Sequence, residues 1–253
     1  MSAAAPFAGE LFVPRYAPVA SGAWQLSVVP MAISPGYWSG PRPIADMAVL
    51  VRDGQSWMST TPMEIESAEI GIRCAEGRVL IFGLGMGWAA AATACLPDVT
   101  AVTVVEIDED VLALHERLGL FAQLPAKARA KLTIEPGDAC EYRAQTSVDL
   151  LMPDIWLPLV NDGRLDEVRR MQANVGAKAV YFWGQEMDIA RHLAAAQREP
   201  DDAGIAATVA EFGLPLIGPG YPGYANKTVA AARRWMRDRW LGGRAPDWAR
   251  GPA

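Results

Sequence analysis

The order of apolar and polar positions predicts short buried strands that alternate with amphipathic helices. Five runs rich in apolar and β-branched residues predict parallel strands, at 79–82, 102–108, 132–135, 148–152 and 179–183. Stretches with apolar residues at helical spacing occur at 89–94, 111–118, 166–174, 186–196, 203–212 and 225–241. Regular alternation of strands and helices indicates the α/β class with a parallel sheet.

The residues before this unit have a different pattern. Short alternating apolar runs between prolines and glycines predict short strands and turns up to about residue 45, and two strands around Asp53-Gly54 predict a hairpin. Hydroxyl residues at 59–61 and Pro62 predict the start of a helix. We therefore divide the chain into a β-rich N-terminal region with a linking helix (1–75), a Rossmann-like domain (76–200) and a helical C-terminal extension (201–253).

The most informative motif is the glycine turn after the first parallel strand. Gly83, Gly85 and Gly87 carry no side chains, which allows a ligand to approach the backbone. Glu106 comes at the tip of the next strand, where a carboxylate can accept hydrogen bonds from both hydroxyls of a ribose. Together these residues predict a nucleoside-cofactor site. A dinucleotide is disfavoured, because Trp88 stands where G-x-G-x-x-G needs its third glycine.

Composition and charge narrow the class of ligand. The 253 residues carry a net charge of −6, which gives no reason to expect nucleic acid as a partner and favours a small-molecule substrate. The uncharged run 79–96 is divided by its glycines, and the first residues lack the features of a signal peptide. We therefore expect no membrane span and a cytoplasmic protein. Three cysteines without C-x-x-C spacing predict neither a disulfide framework nor a metal site.

The glycine turn and the segment Val105-Glu-Ile-Asp108 resemble the S-adenosylmethionine (SAM) site of class I methyltransferases. Gly137-Asp138-Ala139 matches the place where that fold sets an acid against the adenine amino group. The resemblance implies SAM as the cofactor, and it implies the following cofactor-binding residues: Gly83, Gly85, Gly87, Glu106, Ile107, Asp138, Ala139 and Asp154.

Residues 48–158 also resemble the spermidine synthase (aminopropyltransferase) branch of this fold. The Asp-Gly hairpin, the linking helix and Ile81 before the glycine turn are as in that branch, and 148–158 is similar to its strand ending in Asp-x-x-Asp-Pro, with Asp154 as the first aspartate. The positions that serve polyamines differ, and they carry Leu157, Trp57, Pro62-Met63 and Met86 in place of acids or glutamine. A polyamine substrate is disfavoured, because an unpaired ammonium in a closed site is costly.

Substrate-side groups are expected where the later strands end, since open α/β sheets bind ligands there. The residues concerned are Asp154 and Trp156 after the fourth strand, Trp183 and Gln185 after the fifth, and Glu64 and Glu66 in the linking helix. We select Asp154, Trp156 and Glu66 as catalytic candidates. Core packing remains the alternative for the indoles, whose rings can also hold a sulfonium by cation–π attraction of about 1–2 kcal/mol. An ordinary helix-start role remains the alternative for the glutamates.

The function predicted from these residues is a SAM-dependent methyltransferase that acts on a small molecule. Two alternatives stay open. The first is alkyl transfer or cyclisation with release of methylthioadenosine, and the second is a non-catalytic SAM-binding protein. No antiparallel hairpin that would end a class I sheet is found after residue 200. The tail with Trp235, Trp240 and Trp248 favours a partner surface, consistent with a homodimer.

Overall fold

A computed structural model describes residues 10–250, and the N-terminal part of this range forms a four-stranded antiparallel sheet. Its strands follow in chain order: β1 (Val19–Ser21), β2 (Trp24–Ser34), β3 (Arg42–Arg52) and β4 (Gln55–Ser59). The predicted hairpin is confirmed, because Arg52 pairs with Gln55 across Asp53 and Gly54, which both have positive φ angles. Of the short strands predicted before residue 45, β1 is short, with three residues, whereas β2 is longer than predicted, with eleven.

The linking helix α1 (Pro62–Arg73) begins as predicted. Thr61 is its N-cap, with a hydroxyl that accepts from the Glu64 N–H at 3.4 Å, and Pro62 is its first residue. Ser67 of this helix accepts a hydrogen bond from Nε1 of Trp183 at 2.9 Å. The helix therefore ties the N-terminal sheet to the edge at which the parallel strands end.

The parallel sheet contains the five predicted strands in the order β7-β6-β5-β8-β9. They are β5 (Gly77–Phe82), β6 (Val99–Glu106), β7 (Leu132–Pro136), β8 (Leu150–Pro153) and β9 (Ala179–Val180). The helices are α2 (Trp88–Ala94), α3 (Glu109–Leu118), α4 (Ala126–Arg129), α5 (Arg164–Val175), α6 (Gln185–Ala195), α7 (Asp202–Phe212) and α8 (Tyr224–Trp235). The strand order reverses at β5, and doubly wound sheets bind ligands outside the carboxyl ends of their strands at such a point. The predicted Rossmann-like α/β fold, with a β-rich N-terminal region and a helical tail, is confirmed.

Several predicted boundaries differ from the observed ones, most clearly at the ends of three elements. β6 ends at Glu106, because Asp108 already caps α3 and accepts a hydrogen bond from the Asp110 N–H at 2.9 Å. β9 has only two residues, after which the chain turns into α6. The last helix ends at Trp235 rather than at residue 241, shortly before Arg237 adopts a left-handed φ of 50°.

The chain beyond β9 continues the sheet in the parallel direction. Val180 and Leu216 form a parallel bridge, in which the Val180 N–H donates to Pro215 O at 2.9 Å and the Ile217 N–H donates to Val180 O at 3.0 Å. Within residues 10–250 the sheet therefore has no terminal antiparallel hairpin. In the same range no helix combines the length and the apolar character needed to cross a membrane.

The tryptophans of the tail pack within the chain. Trp235 Nε1 donates to Tyr37 O at 3.0 Å, and the rings of Trp240 and Trp248 meet edge to face with centroids 5.5 Å apart. Trp240 belongs to a second apolar cluster, which also contains residues of α6 and α8. The prediction of a homodimer therefore loses the support of these indoles.

Candidate active site

A cavity of about 270 Å³ lies at the carboxyl ends of β5, β6, β7 and β8. Most of the predicted site residues line it, namely Gly83, Gly85, Glu106, Ile107, Asp138, Ala139, Asp154 and Trp156. Gly87 instead lines a smaller cavity of about 30 Å³, together with Trp183. Segments that are far apart in the sequence thus meet around one space, at the position where this fold binds ligands.

Glu106 ends β6 and is 8% exposed. Its carboxylate oxygens accept hydrogen bonds from two backbone N–H groups, Oε2 from Leu84 and Oε1 from Asp108, each at 2.8 Å. Because every carboxylate oxygen has two lone pairs, both oxygens can accept a further hydrogen bond from a ligand. Glu106 therefore stabilises the glycine turn and also offers acceptors to the cavity.

Ile107, Asp138 and Ala139 line the cavity beside Glu106. The side chain of Ile107 is 67% exposed and gives this part of the cavity an apolar surface. Asp138 Oδ1 accepts from the Cys140 N–H at 2.8 Å, which orients the carboxylate, and Oδ2 has no partner in the described chain. An apolar surface between two oriented carboxylates suits a planar base with an attached ribose.

The glycines of the turn are needed for packing within the protein. A Cβ on Gly83 would lie 2.1 Å from a backbone carbonyl oxygen of the loop after β8, and a Cβ on Gly87 would lie 2.5 Å from Cε1 of His115. A Cβ on Gly85 would lie 2.8 Å from the end of the Met58 side chain. Contacts within the protein therefore already account for the glycines at 83 and 87, and the room that the turn leaves for a ligand stays a prediction. At Gly85 the neighbouring group is a flexible side chain.

Two side chains hold the glycine turn from the protein side. His115 Nε2 lies 2.9 Å from Gly85 O, and the Tyr16 hydroxyl donates to Met86 O at 3.0 Å. Burial lowers the pKa of His115, and the hydrogen bond to Gly85 acts in the opposite direction. A carbonyl oxygen only accepts, so Nε2 carries the proton and donates. His115 is thus a packing residue, and the Gly85 N–H donates to no group of the described chain.

The N-terminal sheet covers the cavity with residues that we did not predict as ligand contacts. Trp24, Arg52 and Trp57 line the cavity. Asp108 links them to the parallel sheet, because its Oδ2 accepts from Trp24 Nε1 at 2.9 Å and from Arg52 Nη1 at 3.1 Å. The rings of Trp24 and Trp57 meet edge to face at 5.2 Å. The only sequence signal for these contacts is the hairpin before the linking helix.

Charged side chains give the cavity an acidic lining. Within residues 10–250, Glu106, Asp108, Asp138 and Asp154 contribute carboxylates, whereas Arg52 contributes the one guanidinium. Arg52 is paired with Asp108, which leaves an excess of negative charge. Such a lining attracts cations and disfavours a diphosphate.

Asp154 follows β8 and lines both cavities. Its carboxylate makes no hydrogen bond or ion pair with the described residues. Burial raises its pKa to about 7, and the charge of Arg164 acts in the opposite direction. Burial, followed by repulsion from Asp154, raises the pKa of Glu64 to about 8. An acid with a raised pKa that lines a cavity, as Asp154 does, is typical of groups that exchange protons with a ligand.

Arg164 is fully buried and connects the two predicted indoles. Its guanidinium carbon lies 4.8 Å from the ring centroid of Trp156 and 5.5 Å from that of Trp183. The cation held by these rings is therefore Arg164 of the chain itself, and the ring faces that it covers are closed to a ligand. Trp156 still lines the larger cavity, and its Nε1 donates to Glu167 at 2.5 Å.

Glu66 and Gln185 do not reach the cavity. Glu66 is 5% exposed, and it accepts hydrogen bonds from the hydroxyl and from the N–H of Ser39, the latter at 3.0 Å. It orders the loop between β2 and β3, so the prediction of Glu66 as a catalytic group is wrong. The acid of α1 that interacts with Asp154 is Glu64, two residues earlier. Gln185 is buried, and its amide donates into the core.

No protein-family model and no curated protein matches the chain. Among solved structures, the glycopeptide N-methyltransferase MtfA with (S)-adenosyl-L-homocysteine (SAH) is 23% identical over 43% of this chain and 41% of its own, with a TM-score of 0.34. The DhpI–SAH complex is 19% identical over 44% of this chain and 50% of its own, with a TM-score of 0.33. The chain thus aligns with half or less of each of these proteins. At such TM-scores, the function has to be argued from the residues of the site.

Proposed function

We propose that this protein is a SAM-dependent methyltransferase that acts on a small molecule. The observation that carries the proposal is the meeting of Glu106, Ile107 and Asp138 with Asp154 around one cavity. Glu106 would accept from the ribose hydroxyls, Ile107 would pack against the adenine, and Asp138 would accept from its amino group. The resemblance of the glycine turn and of Val105-Glu-Ile-Asp108 to class I methyltransferases supports these assignments.

The charges of the cavity support SAM over other nucleosides. SAM carries a positive sulfonium and an ammonium group, and the unpaired carboxylates of Asp138 and Asp154 suit such a ligand. The free N–H of Gly85 offers a donor beside the cavity. A nicotinamide dinucleotide would bring two phosphates into this acidic space, where Arg52 is the one cationic group that residues 10–250 contribute.

The chemistry requires little from the protein beyond positioning. SAM, when bound, supplies a methyl carbon activated by the sulfonium. Alignment of a nucleophile with that carbon supplies much of the acceleration, since effective molarities of well-oriented groups reach about 10⁵–10⁸ M. Asp154 would accept the proton that the nucleophile loses, and burial places its pKa, about 7, close to neutrality. Trp24 and Trp57 line the cavity on the side of the N-terminal sheet.

Calorimetry with SAM and SAH, followed by mass spectrometry of the products formed with candidate acceptors, tests the proposal. We expect saturable binding of both nucleosides and release of SAH upon turnover. Release of methylthioadenosine would show that the protein transfers or cyclises the amino-acid arm of SAM instead of transferring the methyl group. Absence of binding to both nucleosides would refute the proposed function, and tight binding without turnover on any acceptor would favour a non-catalytic SAM-binding protein.

A further inference from the structure

Met58 of β4 fills the space in front of the glycine turn. Its Sδ accepts a hydrogen bond from the Met86 N–H at 3.2 Å. A Cβ on Gly85 would lie 2.8 Å from both Sδ and Cε of Met58. The end of this side chain therefore lies directly against the backbone of the turn.

Met58 also lies where the two cavities meet. The larger cavity of about 270 Å³ and the smaller one of about 30 Å³ share three lining residues, Met58, Gly83 and Asp154. Glu106 and Asp138 line only the larger cavity. Gly83 has no side chain, and its backbone is packed against the Asp154 carbonyl oxygen, which a Cβ would meet at 2.1 Å. Met58 is the shared residue whose side chain lies against the backbone of the glycine turn.

A nucleoside held by Glu106 and Asp138 needs space for its 5′ substituent. Among the described residues, the carboxylate of Asp154 and the N–H of Gly85 have no hydrogen-bond partner in the protein and are available to that substituent. Met58 contacts the turn at Gly85 and borders the cavities next to Asp154. A long 5′ substituent and the Met58 side chain therefore compete for the same space.

We propose that Met58 is a resident occupant of the subsite for the amino-acid arm of the cofactor, and that it selects between nucleosides by the size of their 5′ substituent. This inference rests on the proposed function. The arm of SAM is itself a methionine, so the side chain of Met58 has the matching length and sulfur chemistry. A methionine side chain has three rotatable bonds and adapts its shape easily, which makes its displacement inexpensive.

The movement is confined to the side chain, because the hairpin itself is anchored. Trp24 and Arg52, which pair with each other across β2 and β3, both donate to Asp108 at the start of α3. These contacts join the N-terminal sheet to the parallel sheet beside the cavity. Rotation of Met58 therefore opens the subsite without removing the cover that the two strands provide.

Calorimetry with two nucleosides tests this proposal. SAH has the amino-acid arm, whereas 5′-methylthioadenosine lacks it. We expect Met58→Ala to tighten SAH binding by about tenfold, because the competing conformation is removed, and to change methylthioadenosine binding by less than about twofold. Met58→Leu keeps the bulk, so SAH should bind it within about threefold of wild type. Met31→Ala, at a methionine that is 64% exposed on β2, is the matched control and should change neither affinity.

Unchanged or weaker SAH binding by Met58→Ala, with methylthioadenosine binding retained, would overturn the role of Met58 and leave the proposed function standing. Failure of both nucleosides to bind wild type and variants would refute the function itself, and the role of Met58 with it.

A second measurement needs no alanine variant. With ¹³C-labelled methionine methyl groups, the Met58 resonance, assigned through Met58→Leu, should shift with saturating SAH and stay in place with methylthioadenosine. A Met58 signal that SAH leaves unmoved would contradict the displacement.

Discussion

Replacement of Glu106 by alanine tests a residue that serves both the fold and the proposed cofactor. The substitution removes the acceptor of two backbone N–H groups, those of Leu84 and Asp108, each at 2.8 Å. Hydrogen bonds to a charged group contribute about 1.5–3 kcal/mol each, and water entering the vacated space recovers part of that. We therefore expect the free energy of unfolding to fall by about 3 kcal/mol. This is a large part of the roughly 5–15 kcal/mol by which domains are stable.

The same substitution removes the acceptors that we assign to the ribose hydroxyls. We expect SAH to bind Glu106→Ala about 2–3 kcal/mol more weakly, which corresponds to a factor of about 30 to 150 in Kd. Ligand binding stabilises the folded state, and SAH at 100 times the wild-type Kd should add about 2.7 kcal/mol to the wild type. If Kd rises about 100-fold, the same concentration adds only about 0.4 kcal/mol to the variant.

Urea unfolding with and without SAH separates the two effects. Glu109→Ala, at an exposed acid in the first turn of α3, is the control and should change neither stability nor SAH binding. An unfolding midpoint of Glu106→Ala equal to that of wild type would contradict the two hydrogen bonds. A lower midpoint that SAH raises as much as in wild type would remove Glu106 from the cofactor site and leave it as a support of the glycine turn.

The remaining predictions concern proton transfer, the turn and the product. Asp154→Asn should lower turnover by roughly 10²–10⁴ while SAH affinity changes less, and wild-type kcat/KM should rise with pH through about 7, the raised pKa of Asp154. Because burial raises that pKa, the folded state loses stability as pH rises from about 4 to 7. Urea unfolding should therefore show the free energy of unfolding of Asp154→Asn rising relative to that of wild type across this range. A difference in unfolding free energy that stays constant with pH would contradict the raised pKa. Gly83→Ala should lower the free energy of unfolding, measured in urea, by about 3 kcal/mol or more, because its Cβ would meet backbone. The control Gly163→Ala, at a glycine that also has positive φ but open space around it, should lower it by only about 1–2 kcal/mol. Equal losses in the two variants would refute the steric argument. With decarboxylated SAM and putrescine, mass spectrometry should detect no spermidine above background, since Leu157 and Met86 replace acids. Robust formation of spermidine would refute the inference that a polyamine substrate is disfavoured.

The parts of the site that strands position directly could be predicted from the sequence. Glu106 and Asp138 follow neighbouring parallel strands, and parallel strands end at one edge of a sheet, so the spacing of the motifs fixes their proximity. The reason for the glycines could not be predicted. The backbone that crowds Gly83 belongs to a loop some 70 residues later, and no local pattern reports that contact.

The choice between Glu64 and Glu66 was also beyond the sequence. Both are acids near the start of α1, and residues two apart on a helix point to different sides. The side that faces the site was decided by Ser67, which binds Trp183, and by Ala68, which lines the smaller cavity. These residues are three and four positions after Glu64, so Glu64 shares their side and Glu66 does not. The position of Met58 at the glycine turn could not be predicted either, because the hairpin is held against the parallel sheet by contacts of Asp108 with residues that are distant in the sequence.

Asp154 and Glu64 interact with each other but have different positions relative to the two cavities, and these positions decide which is the base. Repulsion between two acids acts on both, so Asp154 and Glu64 titrate as a pair that loses its first proton near neutrality. Burial raises the pKa of both carboxyl groups, to about 7 for Asp154 and to about 8 for Glu64. Asp154 also lines both cavities, whereas Glu64 lines neither. The carboxylate oxygen that reaches a ligand is therefore on Asp154. This assignment requires the rise of kcat/KM through about pH 7 to disappear in Asp154→Asn, because the Glu64 carboxyl has no surface in the cavity from which to replace it.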